Sequence, residues 1–247
     1  MLPKNKLLIS IPFAVASLVA GCAEGTDDLD GVNVVISTED ADDNEGSDTA
    51  ATIADMSFFL TSNGIGDGGN LGGLAGADAH CSNLAAAAGA TATEWRAYLS
   101  TTGADGVNAI DRIGSGPWVN AIGVVVATDT ADLLSDGSNL NGLTAITENG
   151  DTVTGRGNTP NRHDILTGTT LDGVASTEET DTTCGNWTSN ADSVGAAIVG
   201  HHDRSGPLID FVENPNSFST AHPSLGCSQA NLQATGGDGL LYCFVEN

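Results

Sequence analysis

The stretch Met56-Ser-Phe-Phe-Leu-Thr-Ser-Asn-Gly-Ile-Gly-Asp-Gly-Gly-Asn-Leu-Gly-Gly-Leu-Ala-Gly-Ala-Asp-Ala-His-Cys81 changes its hydrophobic period halfway along. Met56 to Thr61 is a short apolar run of the length of a buried strand. After a glycine-rich turn, apolar residues recur at Leu74, Ala77, Cys81, Leu84, Ala85 and Ala88, which is helical spacing, and Gly89 stops the helix. Downstream, the strand candidates are short: Trp95 to Ser100, Trp118 to Ala127, Val194 to Gly200 and Leu240 to Val245. Gly, Asn, Asp and Thr separate them, and Asp129 to Leu134 adds one helical turn. The fold class is therefore α+β, with one or two helices packed on short antiparallel sheets joined by long loops. Ser135 to Asp181 reads as structureless, which a compact domain tolerates only if something pins it.

Upstream, Lys4 and Lys6 precede an uncharged run from Leu7 to Ala20, which is too short to span a bilayer. This layout is that of a signal peptide. It ends in Leu18-Val19-Ala20-Gly21-Cys22, which resembles the lipobox of bacterial lipoproteins. The resemblance implies cleavage before Cys22 and lipidation of its thiol, so residues 1–21 are read as signal and the chain as an exported cell-envelope protein. The acyl chains would hold it in the membrane, each buried methylene contributing about 0.8 kcal/mol. Ala23 rather than aspartate after the anchor favours the outer membrane under the sorting rule of enteric bacteria. Ala23 to Asp55 carries eleven acids, no base and no aromatic residue. Residues 22–55 are accordingly read as a lipidated, solvated acidic stalk, interrupted only by a sticky patch from Val32 to Ile36. Residues 56–247 then form one domain.

Both lysines fall in the signal, so the processed chain keeps five arginines against thirty-two acids, a net charge of −27. Such a surface repels phosphate backbones, which excludes nucleic acid as a partner. It also suits salty surroundings, where screening relieves self-repulsion.

Beyond Cys22, four cysteines remain: Cys81, Cys184, Cys227 and Cys243. An even number outside the cytoplasm is what a disulfide framework requires, and three pairings exist on paper. A bridge from Cys81 on the helix to Cys243 in the last strand would tie the two ends of the domain together. Cys184 and Cys227 would then close the loop region inside. Each bridge would contribute about 2–5 kcal/mol by restricting the unfolded chain. No CxxC pair points to metal instead.

The domain resembles bacterial lectin-like domains of the C-type-lectin-like and endostatin superfamily. The resemblance runs over nearly all of residues 56–247. It is carried by Phe58-Phe-Leu-Thr-Ser62, Gly69 to Cys81, Trp95-Arg-Ala-Tyr-Leu-Ser100, Thr183-Cys-Gly-Asn-Trp-Thr-Ser189, Gly200-His-His-Asp-Arg204, His222-Pro-Ser-Leu-Gly-Cys-Ser228 and Leu241-Tyr-Cys-Phe244. It implies a helix-flanked, two-sheet fold with neighbouring termini and nested bridges, and a binding function directed at glycans. The calcium-dependent sugar loop of C-type lectins is not matched: the nearest pieces, Glu213-Asn-Pro-Asn216 and Asn186-Trp-Thr188, both differ from it.

The sharpest polar cluster is His201-His202-Asp203-Arg204, with His222 twenty residues on. If the strand before it continues, His201 and His202 point to opposite faces, so one of them at most joins a given site easily. A zinc site would combine one of them with His222 and Asp203, and His163-Asp164 would lend a further ligand. The preferred reading has no metal or cofactor, neither calcium nor zinc. In it His201, His202, Asp203, Arg204 and His222 line a ligand pocket by hydrogen bonding, with Asn186 and Trp187 beside them. Trp187, in a polar loop next to Cys184, is the aromatic expected to offer a surface platform, whereas Trp95 and Trp118 are expected in the core. Gly64-Ile-Gly-Asp-Gly-Gly69 fits GxGxxG, but Asp67 would repel a pyrophosphate and no parallel βαβ series follows. HExxH, GxSxG and a Walker lysine are lacking.

The expected function is a non-catalytic, lipid-anchored protein that binds a glycan or another extracellular ligand. Two rivals follow from other classes. One is a metal-dependent hydrolase using His201, His202, Asp203 and His222; the other is an adhesive module that binds protein.

Overall fold

The computed structural model describes residues 53–206 and 214–246. The signal segment, Cys22 and the stalk up to residue 52 lie outside the described residues. The domain edge reaches slightly further back than Met56: Ile53 packs against the core, and the Ala54 carbonyl accepts from the Thr91 amide at 3.0 Å.

The fold is mixed α+β with short strands. Its main sheet contains β1 (Phe58–Leu60), β2 (Trp95–Ala97), β5 (Asp164–Leu166), β6 (Ile198–His201), β7 (His222–Pro223) and β8 (Gly237–Val245). A separate hairpin pairs β3 (Trp118–Val119) with β4 (Val125–Ala127). The order across the main sheet is β1-β8-β5-β6-β7, and β2 also pairs with β8. Strand β8 is thus the spine. Cys243 lies opposite Phe59 of β1 on one side and Ala97 of β2 on the other.

Alternation of side chains across this sheet makes two cores. Phe59, Trp95, Ala97, Leu166, Val199, Leu241 and Cys243 face helix α1 (Gly73–Ala88), whose Ala77, Cys81 and Ala85 are buried against them. Phe58, Leu60, Tyr98, Ile165, Leu240, Tyr242 and Phe244 face the opposite way, towards Trp118 and Leu133. Gly89 ends α1 in the left-handed region at φ 98°, and its amide reaches back to the Ala85 and Ala86 carbonyls. Arg112 clamps the helix to the sheet. Its guanidinium spans both oxygens of Asp78 on α1 at 2.8 and 2.7 Å, and it also donates to the Ala97 carbonyl.

Both bridges form, Cys81–Cys243 and Cys184–Cys227, with sequence separations of 162 and 43. They belong to a chain folded in an oxidising compartment. No helix among the described residues is long and apolar enough to cross a membrane.

The structure corrects four expectations. Trp118 to Ala127 is a hairpin, because Asn120 folds the chain back by accepting from the Ile122 and Val124 amides. The segment from Ser135 to Asp181 is not structureless, since it supplies β5 to the middle of the sheet. The sheet is not purely antiparallel, because β5 runs parallel to β8. A further helix, Gln229–Thr235, is capped by the Ser228 hydroxyl, which accepts from the Asn231 amide. By contrast, the turn at Asp129 forms as read: Thr130–Leu134 is helical, and the Asp129 carboxylate caps it.

Candidate functional site

The sheet gathers titratable side chains at one end. Asp164 on β5 lies opposite His201 on β6, and His222 on β7 pairs in register with Val199, two residues before His201. His163 immediately precedes β5. Three imidazole Nε2 atoms approach the same carboxylate oxygen, Asp164 Oδ1: His163 at 3.1 Å, His201 at 3.3 Å and His222 at 3.6 Å. The His163 and His201 rings stack with centroids 4.1 Å apart and 10° between planes, and His222 meets His201 edge-on at 5.1 Å.

Each ring is fixed from behind. His201 Nδ1 lies 2.8 Å from the Pro215 carbonyl, His222 Nδ1 3.0 Å from the Pro223 carbonyl, and His163 Nδ1 3.3 Å from Asp203 Oδ1. Asp203 is itself held by the Arg156 and Ser205 amides at 2.7 and 3.1 Å. All four central groups are buried.

Burial pushes the Asp164 carboxyl up, but the His201 and His222 imidazoles beside it more than offset this, leaving it below the usual carboxylate range. Burial pushes the His222 imidazole down, and the Asp164 carboxylate outweighs that, so its pKa is raised. Asp203 is held down at about 2: burial raises it, and the His163 imidazole and the Arg156 amide lower it by more. His163, Asp164 and His201 lie close enough together to share a cation, and His222 adjoins them.

The residues singled out from sequence therefore divide. His201 and His222 converge, with His163 and Asp164 at the centre and Asp203 behind His163. His202 turns away, as strand alternation requires, and lines a separate recess with Asn141, Arg156 and Asp203. Burial drives its pKa down to about 4. Arg204 is spent on structure: it donates to the Leu140 and Ser135 carbonyls and to Ser138 Oγ, and covers the Phe218 ring at 5.5 Å.

Trp187 is not a surface platform. It is fully buried, its indole N–H donates to the Ser100 carbonyl at 2.7 Å, and a left-handed turn through Gly185 and Asn186 folds it inward. Asn186 bonds both the amide and the carbonyl of Thr102, so this pair braces the 100–102 segment and does not join the histidines.

Sequence reasoning missed a cavity of about 610 Å³ on the far side of His222. Hydroxyls and carboxylates of the 169–182 loop, among them Thr180, Thr182, Asp172 and Glu178, line it over a floor that includes Ile198 and Ala221. Thr182 Oγ1 is buried there without a hydrogen-bond partner among the described residues. The signal was present in the threonine-rich run before Cys184, whose bridge to Cys227 fixes one end of the loop. Comparison with known proteins finds no matching family model and no relative among curated proteins.

Proposed function

We propose that this chain is an exported, lipid-anchored protein of C-type-lectin-like architecture that captures a neutral, polyhydroxylated extracellular ligand, a glycan, without transforming it. The cavity framed by residues 169–182 carries this reading. Its volume suits one or two sugar rings, and its wall alternates acceptor carboxylates with hydroxyls that both donate and accept. Thr180 and Thr182 are among the residues that line it, beside Asp172 and Glu178. Ile198, Ala221 and Pro223 supply the apolar surface on which the C–H face of a sugar rests, a task the buried tryptophans do not perform. The acidic surface favours neutral glycans over sulfated or uronic ones. Lipidation at Cys22 and an acidic stalk would hold the domain off the outer membrane.

The test is a glycan array probed with the disulfide-bonded protein and with Asp172→Asn and Thr182→Val variants. Hits among neutral glycans that weaken at least tenfold in either variant support the reading. A blank array with folded protein, or hits indifferent to both substitutions, rejects it in favour of a protein-binding module.

A further inference from the structure

The cavity framed by residues 169–182 is rich in acceptors and poor in donors. Five threonines line it: Thr169, Thr170, Thr180, Thr182 and Thr220. A hydroxyl can donate and accept, but four of these five already donate within the protein. Thr169 and Thr170 donate to the Val174 carbonyl at 2.8 and 3.2 Å, Thr180 to Glu178 Oε2 at 3.2 Å, and Thr220 to the Thr169 carbonyl at 2.7 Å. A hydroxyl whose proton is engaged offers a ligand only lone pairs. The carboxylates of Asp172, Glu178 and Asp181 accept and do not donate, and Asp181 already takes the Thr183 and Gly185 amides at 3.0 and 2.9 Å. Among the described residues, neither lysine nor arginine lines this wall.

Most of the cavity's accessible surface is carbon. Ile198 of β6 pairs in register with Pro223 of β7, and directly opposite residues share one face of a sheet. With Ala196 and Ala221 they form the apolar part of the wall. Leu171 completes it at the rim, where 49% of its surface is exposed. That leucine is held in place. The Gly173 amide donates to the Thr170 carbonyl, the Thr170 amide to the Val174 carbonyl, and the Ile110 amide to the Gly173 carbonyl. Gly173 occupies the left-handed region at φ 73°, and a Cβ there would meet Tyr98 Oη at 2.6 Å. The turn is thus packed against the core, and it presents Leu171 and Asp172 to a ligand already in position.

We infer that the captured unit is a 6-deoxyhexose, its C6 methyl set against Leu171, Ile198 and Pro223 while its ring hydroxyls donate to Asp172 and Glu178; this rests on the glycan reading above. A 6-hydroxyl on that wall would give up its water and find no donor for its oxygen in exchange. A methyl there loses no hydrogen bond and gains by leaving water. The ring hydroxyls are the complementary half, because each brings a proton to a wall of acceptors. An acetamido group matches less well, since its carbonyl only accepts and would face that same wall. An apolar pocket discriminates against an added hydroxyl by about 10–100-fold, which sets the size of the preference.

The experiment titrates the disulfide-bonded chain calorimetrically with methyl glycosides in matched pairs, L-fucose with L-galactose and L-rhamnose with L-mannose. Within each pair the sugars differ only in the 6-hydroxyl. The expected result is a pair in which the 6-deoxy sugar binds about 10–100-fold more tightly than its partner. Leu171→Asn, at the exposed rim, should remove most of that preference without disturbing the fold. Ile198→Thr keeps the branched shape, puts a hydroxyl on the wall and should do the same; circular dichroism verifies that both variants are folded. Equal affinities within both pairs, tighter binding of the 6-hydroxy sugars, no binding of any of the four, or a preference indifferent to both substitutions would overturn the inference. The glycan array separates this failure from that of the underlying reading. Hits confined to fully hydroxylated or N-acetylated neutral glycans leave that reading standing and sink this one, whereas a blank array removes both.

Discussion

Removing the outer disulfide should cost this domain more than removing the inner one, even though both are buried. The perturbation is the paired substitution Cys81→Ala with Cys243→Ala, compared with Cys184→Ala and Cys227→Ala. Their sequence separations of 162 and 43 set the entropy that each bridge removes from the unfolded chain. The loop-closure relation converts these into about 5 kcal/mol for the outer bridge and about 4 kcal/mol for the inner one at 25 °C. For a domain of this size, about 5 kcal/mol corresponds to a fall in melting temperature of roughly 10–20 °C. Guanidinium unfolding followed by far-UV circular dichroism reads the difference, and mass spectrometry verifies the remaining bridge in each variant. A loss below 1 kcal/mol for the outer pair, or a larger loss for the inner pair, would refute the reasoning. It would show that these bridges act through local packing and not through the unfolded chain.

Two further outcomes follow from buried groups. Trp187→Phe shrinks a fully buried ring and leaves the Ser100 carbonyl without its indole donor, which should cost at least about 1–3 kcal/mol in denaturant unfolding while leaving ligand binding intact; a neutral substitution would mean that the core repacks and water reaches that carbonyl. His202, with its pKa lowered by burial to about 4, binds its proton more readily in the unfolded chain, where the value is about 6.5. Its contribution to stability is therefore complete above about pH 6.5 and is lost as pH falls towards 4, a difference of about 3 kcal/mol. The stability-versus-pH curve of a His202→Gln variant should lack that part of the acid slope, and superimposable curves would contradict the burial argument.

Much of the frame was legible in the sequence, because it rests on local signals. The 3.6-residue spacing from Leu74 to Ala88 and the stop at Gly89 specify α1 wherever it packs. The position of Cys81 on that helix and of Cys243 in an apolar strand allowed the outer bridge to be anticipated. Strand β5 was hidden for a physical reason: its three residues begin with Asp164, and a buried carboxylate in a central strand looks like a loop residue until its imidazole neighbours are known. The same gap blurred the site. His201 and His222 were recognisable, but alternation alone left His201 and His202 equivalent, and only the pairing of Asp164 with His201 selects between them. Trp187 misled because its sequence neighbours are polar, whereas positive φ angles at Gly185, Asn186 and Trp187 turn the ring back into the core. The threonine-rich cavity loop has no periodicity, since its shape comes from local turns, such as the Gly173 amide donating to the Thr170 carbonyl and Thr169 Oγ1 donating to the Val174 carbonyl, and from the Cys184–Cys227 bridge at its end.

The spine of the main sheet, β8, is also the strand that the chain supplies last among the described residues. Until Gly237–Val245 arrives, β1 and β2 have no partner, β5 lacks one of its two neighbours, and Cys81 has no mate. The main sheet is therefore complete only once its last described strand is in place. Assembly waits for delivery to finish, and pairing of the sulfurs then locks what has arrived.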